Sequence, residues 1–408
     1  MLKTIALALL ITGSAYAQTT ADLEKRLHDL EARVAQVDEM KREIEILTQQ
    51  IEALKLGEKQ QAAQADVSQY GLGAAASKVY RSGPGVSFGG YGEFRYENPR
   101  HGIASADVVR AVLYTGYKFN DKMLFNSELE VEHATTELGG SVSVEFAYLD
   151  FLLKPQANAR AGLVLIPMGL INEQHEPTAY LGARRPEVED RILPTTWTEL
   201  GAGVFGDAGS LTYRGYVVTG LNSRRFSAED GVHEGKQSGS AAAAKDLAIT
   251  GRLDWHPIEG VLLGASAYSG NSGQGAGFHG RVTLADLHAD AKFRGVSLRG
   301  LVAKGSIGDA AAISAQNGET IGSSLGGWYV EGAYDLRVTP YVRYERLNTQ
   351  RRVSLGFERD PLNDRRITTL GVSFKPIAQT VIKTDYQKIK TGAGTDQSQF
   401  NIALGYIF

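Results

Sequence analysis

The sequence predicts an all-β chain, a transmembrane antiparallel β-barrel of about sixteen strands, preceded by an N-terminal α-helical coiled coil. Three observations predict the barrel. Hydrophobic residues recur at period two from Val86 to Phe408; the connections between the alternating stretches are short and long in turn; and the last stretch ends in an aromatic residue on its apolar face. No run of about twenty apolar residues is present, so a helical span is not available. A spanning barrel needs none, because its lipid-facing and lumen-facing residues alternate and average to an ordinary polar composition.

The first seventeen residues read as an export signal. Lys3 precedes the apolar stretch from Ile5 to Ile11, and Ala15-Tyr16-Ala17 offers small residues where a signal peptidase cuts. Cleavage after Ala17 would start the mature chain at Gln18. The chain has 408 residues and no cysteine, which excludes disulfide frameworks, thiolate metal sites and cysteine nucleophiles together. It also suits a chain that crosses an oxidising compartment unfolded. Lys and Arg number 43 against 46 Asp and Glu, a net charge of -3, which argues against nucleic acid held by bulk charge.

Residues 18–56 are expected to form the periplasmic coiled coil. Leu23, Leu27, Leu30, Val34, Val37, Met40, Ile44, Leu47, Ile51 and Leu54 are spaced 4, 3, 4, 3, 3, 4, 3, 4, 3, a heptad seam with one stammer at Met40. So narrow an apolar stripe is marginal on a lone helix in water and calls for partners. At about 1.5 Å per residue such a helix reaches about 50 Å, long enough to act as a spacer. Residues 57–85, rich in Gln, Ala, Gly and Ser and ending at Ser82-Gly83-Pro84-Gly85, are expected to be a flexible linker.

The barrel is expected over residues 86–408. Val86, Phe88, Gly90, Gly92, Phe94 and Tyr96 share one parity, and Tyr91, Glu93, Arg95 and Glu97 share the other. Seven short turns are expected, near residues 120–121, 155–156, 206–207, 257–258, 294–295, 338–339 and 376–377. Eight longer connections, around 98–107, 134–141, 166–198, 222–245, 270–280, 305–326, 348–364 and 390–397, complete a division into sixteen strands. An even strand number with short turns at one end and long loops at the other is the bacterial outer-membrane pattern. In the last strand Phe400, Ile402, Leu404, Tyr406 and Phe408 fall on one face. Phe408 resembles the terminal signal read by the barrel assembly machinery of that membrane, which makes the machinery and outer-membrane lipids expected partners.

The stretch Arg160-Ala-Gly162-Leu-Val-Leu-Ile-Pro167-Met-Gly169-Leu resembles the strand that leads into the constriction loop of the phosphate-selective porin (O and P) family. Tyr148-Leu-Asp150-Phe-Leu and Leu200-Gly-Ala-Gly203-Val-Phe are similar to that family's neighbouring strands. The coil-plus-barrel layout is similar to the trimeric dicarboxylate-channel porins. These resemblances imply a sixteen-stranded homotrimeric channel whose third outer loop folds into the lumen.

From the residues themselves, loop 166–198 is the longest connection and belongs either inside the barrel or over it as a cap. Its charged residues, Glu173, Glu176, Arg184, Arg185, Glu187, Glu189, Asp190 and Arg191, are the candidate constriction residues. Arg184 and Arg185 could grip an anion bidentately or pair with Glu187 and Glu189 and stiffen the loop. Arg95, Arg110, Arg252, Arg299, Arg343 and Lys383 are candidate lumen-facing cations, and Glu93, Glu128, Glu130, Asp254, Glu331, Glu345 and Asp385 share their parities. A lining of mixed sign departs from the arginine rows of phosphate-selective members and suits a general channel. The expected function is passive diffusion of small hydrophilic solutes or ions, with phosphate and dicarboxylates among the candidate anions. An envelope-spacing protein whose coil spans part of the periplasm is the alternative. No Ser/His/Asp grouping points to an enzyme, the eight histidines show no paired metal spacing, and no cofactor is implied.

Overall fold

The computed structural model describes residues 24–25, 27–28, 30–31, 39–50, 68–137 and 139–408. The expected signal, the seam positions Leu23, Val34, Val37, Ile51 and Leu54, and linker residues 57–67 lie outside them. By backbone contacts the chain divides into residues 1–64 and 65–408. In the first unit the described residues are helical, and Leu27, Leu30, Met40, Ile44 and Leu47 of the expected seam are between 54% and 63% exposed.

The second unit is a closed antiparallel barrel of sixteen strands, each paired with its sequence neighbours and β1 with β16. The first half runs β1 (Gly85–Pro99), β2 (Ser105–Asn120), β3 (Met123–Glu132), β4 (Ser141–Lys154), β5 (Ala157–Leu165), β6 (Thr198–Ala208), β7 (Leu211–Thr219) and β8 (Leu247–Trp255). The second half runs β9 (Val261–Gly270), β10 (Val282–Phe293), β11 (Val296–Ile307), β12 (Ser324–Tyr334), β13 (Thr339–Arg352), β14 (Asp364–Ile377), β15 (Thr380–Thr391) and β16 (Gln399–Ile407). Closure leaves no sheet edge, which is what a spanning sheet must achieve. The expected alternation of short turns and long loops holds, with the β6–β7 turn at residues 209–210. The loop after β11 also holds a short helix over Ala310–Asn317.

The seam of the barrel is sealed by aromatic rings on glycine. Phe408 and Gly90 exchange both backbone hydrogen bonds, at 2.9 and 3.0 Å. The Tyr406 ring occupies the space that a Cβ on Gly92 would take, with atoms 2.6 Å from it. Phe400, Ile402, Leu404 and Phe408 are 39–51% exposed on the outer face, as the parity of the last strand requires.

Two features depart from expectation. The inner face of β1–β4 is aromatic as well as charged: Tyr91, Tyr114, Phe146 and Tyr148 form a ladder with ring centroids 5.3–5.9 Å apart. The reason is the second departure. The end of the expected flexible linker, residues 68–82, is folded inside the barrel, where Leu72, Ala75, Ala76, Val79 and Tyr80 are buried and α1 (Lys78–Arg81) packs on β1, β2 and β3. Tyr80 donates to Asp150 at 2.6 Å and accepts from Arg160 at 2.9 Å. Arg160, itself 1% exposed, forms a bidentate pair with Asp150 at 2.8 and 3.0 Å and lies over the Tyr148 ring at 3.9 Å. Gly71 has φ +84°, and a Cβ there would lie 2.6 Å from the Arg214 guanidinium, so only glycine lets the segment lie against that wall.

Candidate functional site

The loop between β5 and β6, residues 166–197, enters the lumen. Its neck is tied by Asn172, whose Nδ2 donates to the carbonyls of Ile166 and Trp197 at 2.6 and 3.0 Å while Oδ1 accepts from Trp197 N at 2.7 Å. Beyond the neck, carboxylates of the wall accept from loop backbone. Asp385 accepts from Ala183 N at 2.7 Å, Asp286 from Gly169 N at 3.2 Å, and Glu345 from Val188 N at 3.3 Å. Arg252 donates to the Gly169 carbonyl. These three loop donors thus find charged acceptors, the stronger class of hydrogen bond.

The eight constriction candidates separate into three groups. Glu173, Glu176 and Glu189 are at most 4% exposed and hold the loop in place. Glu173 pairs with Arg214 at 3.1 Å. Glu176 accepts from Ala75 N and Ala76 N at 2.9 and 3.1 Å, which binds the loop to the folded segment. Glu189 accepts from Leu170 N and Ile171 N, both at 2.7 Å, and from Tyr329 Oη at 2.6 Å. Arg191 turns toward the next loop, pairing with Glu229 at 2.9 Å and Asp230 at 3.3 Å.

The third group, Arg184, Arg185, Glu187 and Asp190, lines an open cavity. The two arginines do not pair with Glu187 and Glu189. Arg184 lies 3.6 Å from Glu97, and Arg185 donates to Thr196 Oγ1 and the His175 carbonyl at 3.2 and 3.3 Å. Glu187 is taken by Arg365, at 2.7 and 2.9 Å. Burial pushes the Glu187 carboxyl up, but Arg365 and Arg191 outweigh it and hold it below the usual carboxylate range.

The six candidate lumen cations each lie beside an acid or a ring. Arg95 pairs with Glu97 at 2.8 Å, Arg110 with Glu130 at 3.2 Å, Arg252 with Asp254 at 2.8 Å and Arg299 with Asp290 at 2.6 Å. Arg343 pairs with Glu345 at 2.8 Å. Lys383, 1% exposed, sets its Nζ 3.6 Å over the Tyr180 ring and has no hydrogen-bond partner among the described residues.

Two cavities meet the loop from opposite sides of Tyr180. One, of about 380 Å³, is lined by Arg95, Arg110, Arg184, Arg185, Lys236 and His233 against Glu93, Glu132, Glu145, Glu187, Asp190 and Glu234. The other, of about 330 Å³, is lined by Lys292, Arg299, Arg337 and Lys375 against Asp290, Glu331 and Asp335. Tyr180 borders both. Its hydroxyl donates to Glu93, 3.0 Å from each carboxylate oxygen. Residues 68–82 occupy part of the lumen against β1–β7, where they meet Asp150, Arg160, Phe205 and Arg214.

Sequence reasoning missed Tyr180, because a lone tyrosine in a loop carries no pattern. It also missed the folded segment, although Leu72, Ala75, Ala76, Val79 and Tyr80 recur at the spacing of one helical face.

His175 ties the loop to β3. Its Nδ1 donates to the Asn172 carbonyl at 2.8 Å, and Nε2 lies 3.2 Å from both Glu128 oxygens. Burial, reinforced by Arg185, pushes its imidazole down from 6.5 to about 4. A histidine kept neutral in the folded state contributes fully above its unfolded value and loses that contribution as pH falls from 6.5 to about 4. Urea unfolding in detergent is therefore expected to weaken by up to about 3 kcal/mol more across that window in the wild type than in His175→Gln. Parallel pH profiles would contradict this assignment.

No family model matches the chain. An uncharacterized protein of Aquifex aeolicus (strain VF5) is 34% identical over 363 residues, 83% of each chain. Among solved structures, the anion-selective porin of Comamonas acidovorans covers 79% of this chain and 99% of its own at TM-score 0.56 and 10% identity. The outer membrane channel DcaP of Acinetobacter baumannii covers 80% and 98% at TM-score 0.53 and 12% identity. The trimer form of OmpT of Vibrio cholerae covers 80% and 100% at TM-score 0.52 and 12% identity. At these identities the likeness is one of fold, that of the outer-membrane porins.

Proposed function

We propose, for a chain that belongs to the same family as the Aquifex aeolicus protein and has the fold of the outer-membrane porins, a passive diffusion channel of the outer membrane for small hydrophilic solutes and ions. The observation that carries this reading is the pair of charged cavities facing each other across Tyr180 inside a closed sixteen-stranded barrel. Solutes pass between a cavity walled by β1–β4 and one walled by β10–β14, with loop 166–197 as the constriction between them. Arg184, Arg185, Glu187 and Asp190 face them on one side of it, and Arg299 on the other.

The cavity with Arg299 has four cations to three carboxylates, and the cavity with Arg184 is near balance. With five Lys or Arg to six carboxylates in the latter, the two cavities together hold nine of each, a lining that passes ions of either sign, phosphate and dicarboxylates among them, and traps neither. That structures of this fold include a porin of Comamonas acidovorans and an outer membrane channel of Acinetobacter baumannii supports the channel reading.

The assembly is a homotrimer, in line with the trimer form of the Vibrio cholerae relative in fold. Export through the residue 1–17 signal and barrel insertion through Phe408 deliver it to the membrane, with residues 18–56 as a periplasmic coil. The exposed seam residues Leu27, Leu30, Met40, Ile44 and Leu47 favour a coil that joins the three copies or spaces the barrel from a periplasmic layer.

Proteoliposome swelling tests the channel: neutral monosaccharides and small dicarboxylates are expected to enter, and long oligosaccharides to be refused. Liposomes that swell no faster than protein-free controls would overturn it. Deleting residues 22–56 is expected to leave swelling intact and lower the temperature at which the trimer dissociates in mild detergent. An unchanged dissociation temperature would leave the coil with the spacer role alone.

A further inference from the structure

The outward faces of β8 and β9 carry Leu247, Ile249, Leu253, Leu263, Ala265 and Ala267, and no charge, as lipid contact demands. From β11 to β15 the outward face is different. Lys304, Arg346, Arg366, Lys388 and Lys390 are all exposed there. The register puts three of them in one row, with Trp328 opposite Arg346, Arg346 opposite Arg366, and Arg366 opposite Lys390. Arg351 adds to the row, since its Nη1 lies 3.1 Å from where a Cβ on Gly326 would stand, and Gly326 is the cross-strand partner of Lys304. One carboxylate faces this group from the strands, Asp364, 3.9 Å from Arg346 Nε.

Like charges directly opposite one another across strands are destabilising, so the row calls for more negative charge than Asp364 alone supplies. Its position says which kind. Arg366 is two residues from the start of β14 and Lys390 one from the end of β15, so the row lies at the long-loop rim. Trp328, at the β12 end of the row, and Leu370 and Tyr386, nearer the middle of the barrel, are 40%, 59% and 45% exposed. Cations beside an aromatic and aliphatic surface fit an amphiphile, with its charged end on the row and its chains below. A second copy docked here would have to present carboxylates, and the outward faces of β8 and β9 have none.

We propose that the row Arg346–Arg366–Lys390, with Lys304, Arg351 and Lys388 around it, is a binding site for the phosphorylated headgroup of a lipid in the leaflet facing the long loops, the acyl chains lying over Trp328, Leu370 and Tyr386. The site rests on reading the barrel as an outer-membrane one and is independent of what the lumen conducts.

The test is native mass spectrometry of the full-length protein in mild detergent with bis-phosphorylated lipid A, with phosphatidylethanolamine, and with lipid A plus equimolar inorganic phosphate. The wild type is expected to retain lipid A, to prefer it over phosphatidylethanolamine, and to keep it against free phosphate. In Arg346→Gln/Arg366→Gln/Lys390→Gln, affinity for lipid A is expected to fall about a hundredfold. The charge-keeping variant Arg346→Lys/Arg366→Lys/Lys390→Arg is expected to restore most of it, which separates charge from misfolding. Both variants are expected to conduct as the wild type does, so failure of the lipid site and failure of the channel read out separately. Equal retention of both lipids, displacement by equimolar phosphate, or undiminished lipid A binding in the glutamine variant would each overturn the proposal. A glutamine variant that changes oligomeric state, from a wild type that retains no lipid, would instead make this face a protein interface.

Discussion

Replacing residues 68–82 with a Gly/Ser linker of equal length is expected to raise single-channel conductance about twofold or more, since the cross-section open to water sets the current through a wide barrel. The segment occupies part of the lumen against β1–β7, where it buries Leu72, Val79 and Tyr80 and donates two backbone N–H groups to Glu176. A Gly/Ser chain supplies neither the apolar contacts nor the Tyr80 hydroxyl between Asp150 and Arg160. Current noise is also expected to increase, because Glu176 loses its partners and loop 166–197 loses one support. Planar-bilayer recordings of the two proteins under the same salt check it. Equal conductance would mean that the ion path never shared the lumen with this segment.

The second large effect is expected of Tyr180→Ala. Tyr180 borders both cavities, its hydroxyl is bonded to Glu93, and its ring carries the Lys383 ammonium at 3.6 Å. Removing the ring joins spaces of about 330 and 380 Å³ and bares one cation and one carboxylate to the path. Conductance is expected to rise, and the solute size limit in swelling assays to move up. Reversal potential under a salt gradient separates the two charges. A shift toward anions identifies Lys383 as the exposed group, and a shift toward cations identifies Glu93. Tyr180→Phe keeps the ring and loses only the bond to Glu93, so its conductance is expected to stay near that of the wild type. If alanine and phenylalanine behave alike, the ring is not the barrier.

The barrel was legible in the sequence because lipid enforces a simple rule, that strand residues within the hydrocarbon alternate apolar outside with polar inside. Leu247, Ile249, Leu253 and Trp255 obey it, and all are exposed outward. Turn positions were less legible. Glycine and aspartate at 206–207 read as a turn, yet the turn comes at residues 209–210, and a Cβ on Gly206 would meet the Gln156 backbone. That glycine serves close packing, and composition does not distinguish the two uses.

The constriction was half legible. Position in the chain and length marked the loop, and its charged residues marked its chemistry. Which of them face the path depends on partners far away in sequence. Glu187 and Arg365 are 178 residues apart, and Glu189 and Tyr329 are 140 apart. The segment 68–82 read as a solvated linker because its small residues are those of linkers. Here Gly71 and Gly73 are small because Arg214 and Glu176 stand against them. The cations on β13–β15 interrupt the apolar face, so strand alternation alone assigns them no partner.

The central claim is that water and ions cross the lumen beside Tyr180. Its most direct test is single-channel current of the purified full-length protein in a planar bilayer. Stepwise ohmic conductance in groups of three, with weak ion preference of either sign and no block by phosphate or dicarboxylate, is the result predicted here. A bilayer that stays electrically silent while the protein is demonstrably inserted would contradict it, and would leave the helical seam and the barrel as structural parts of the envelope.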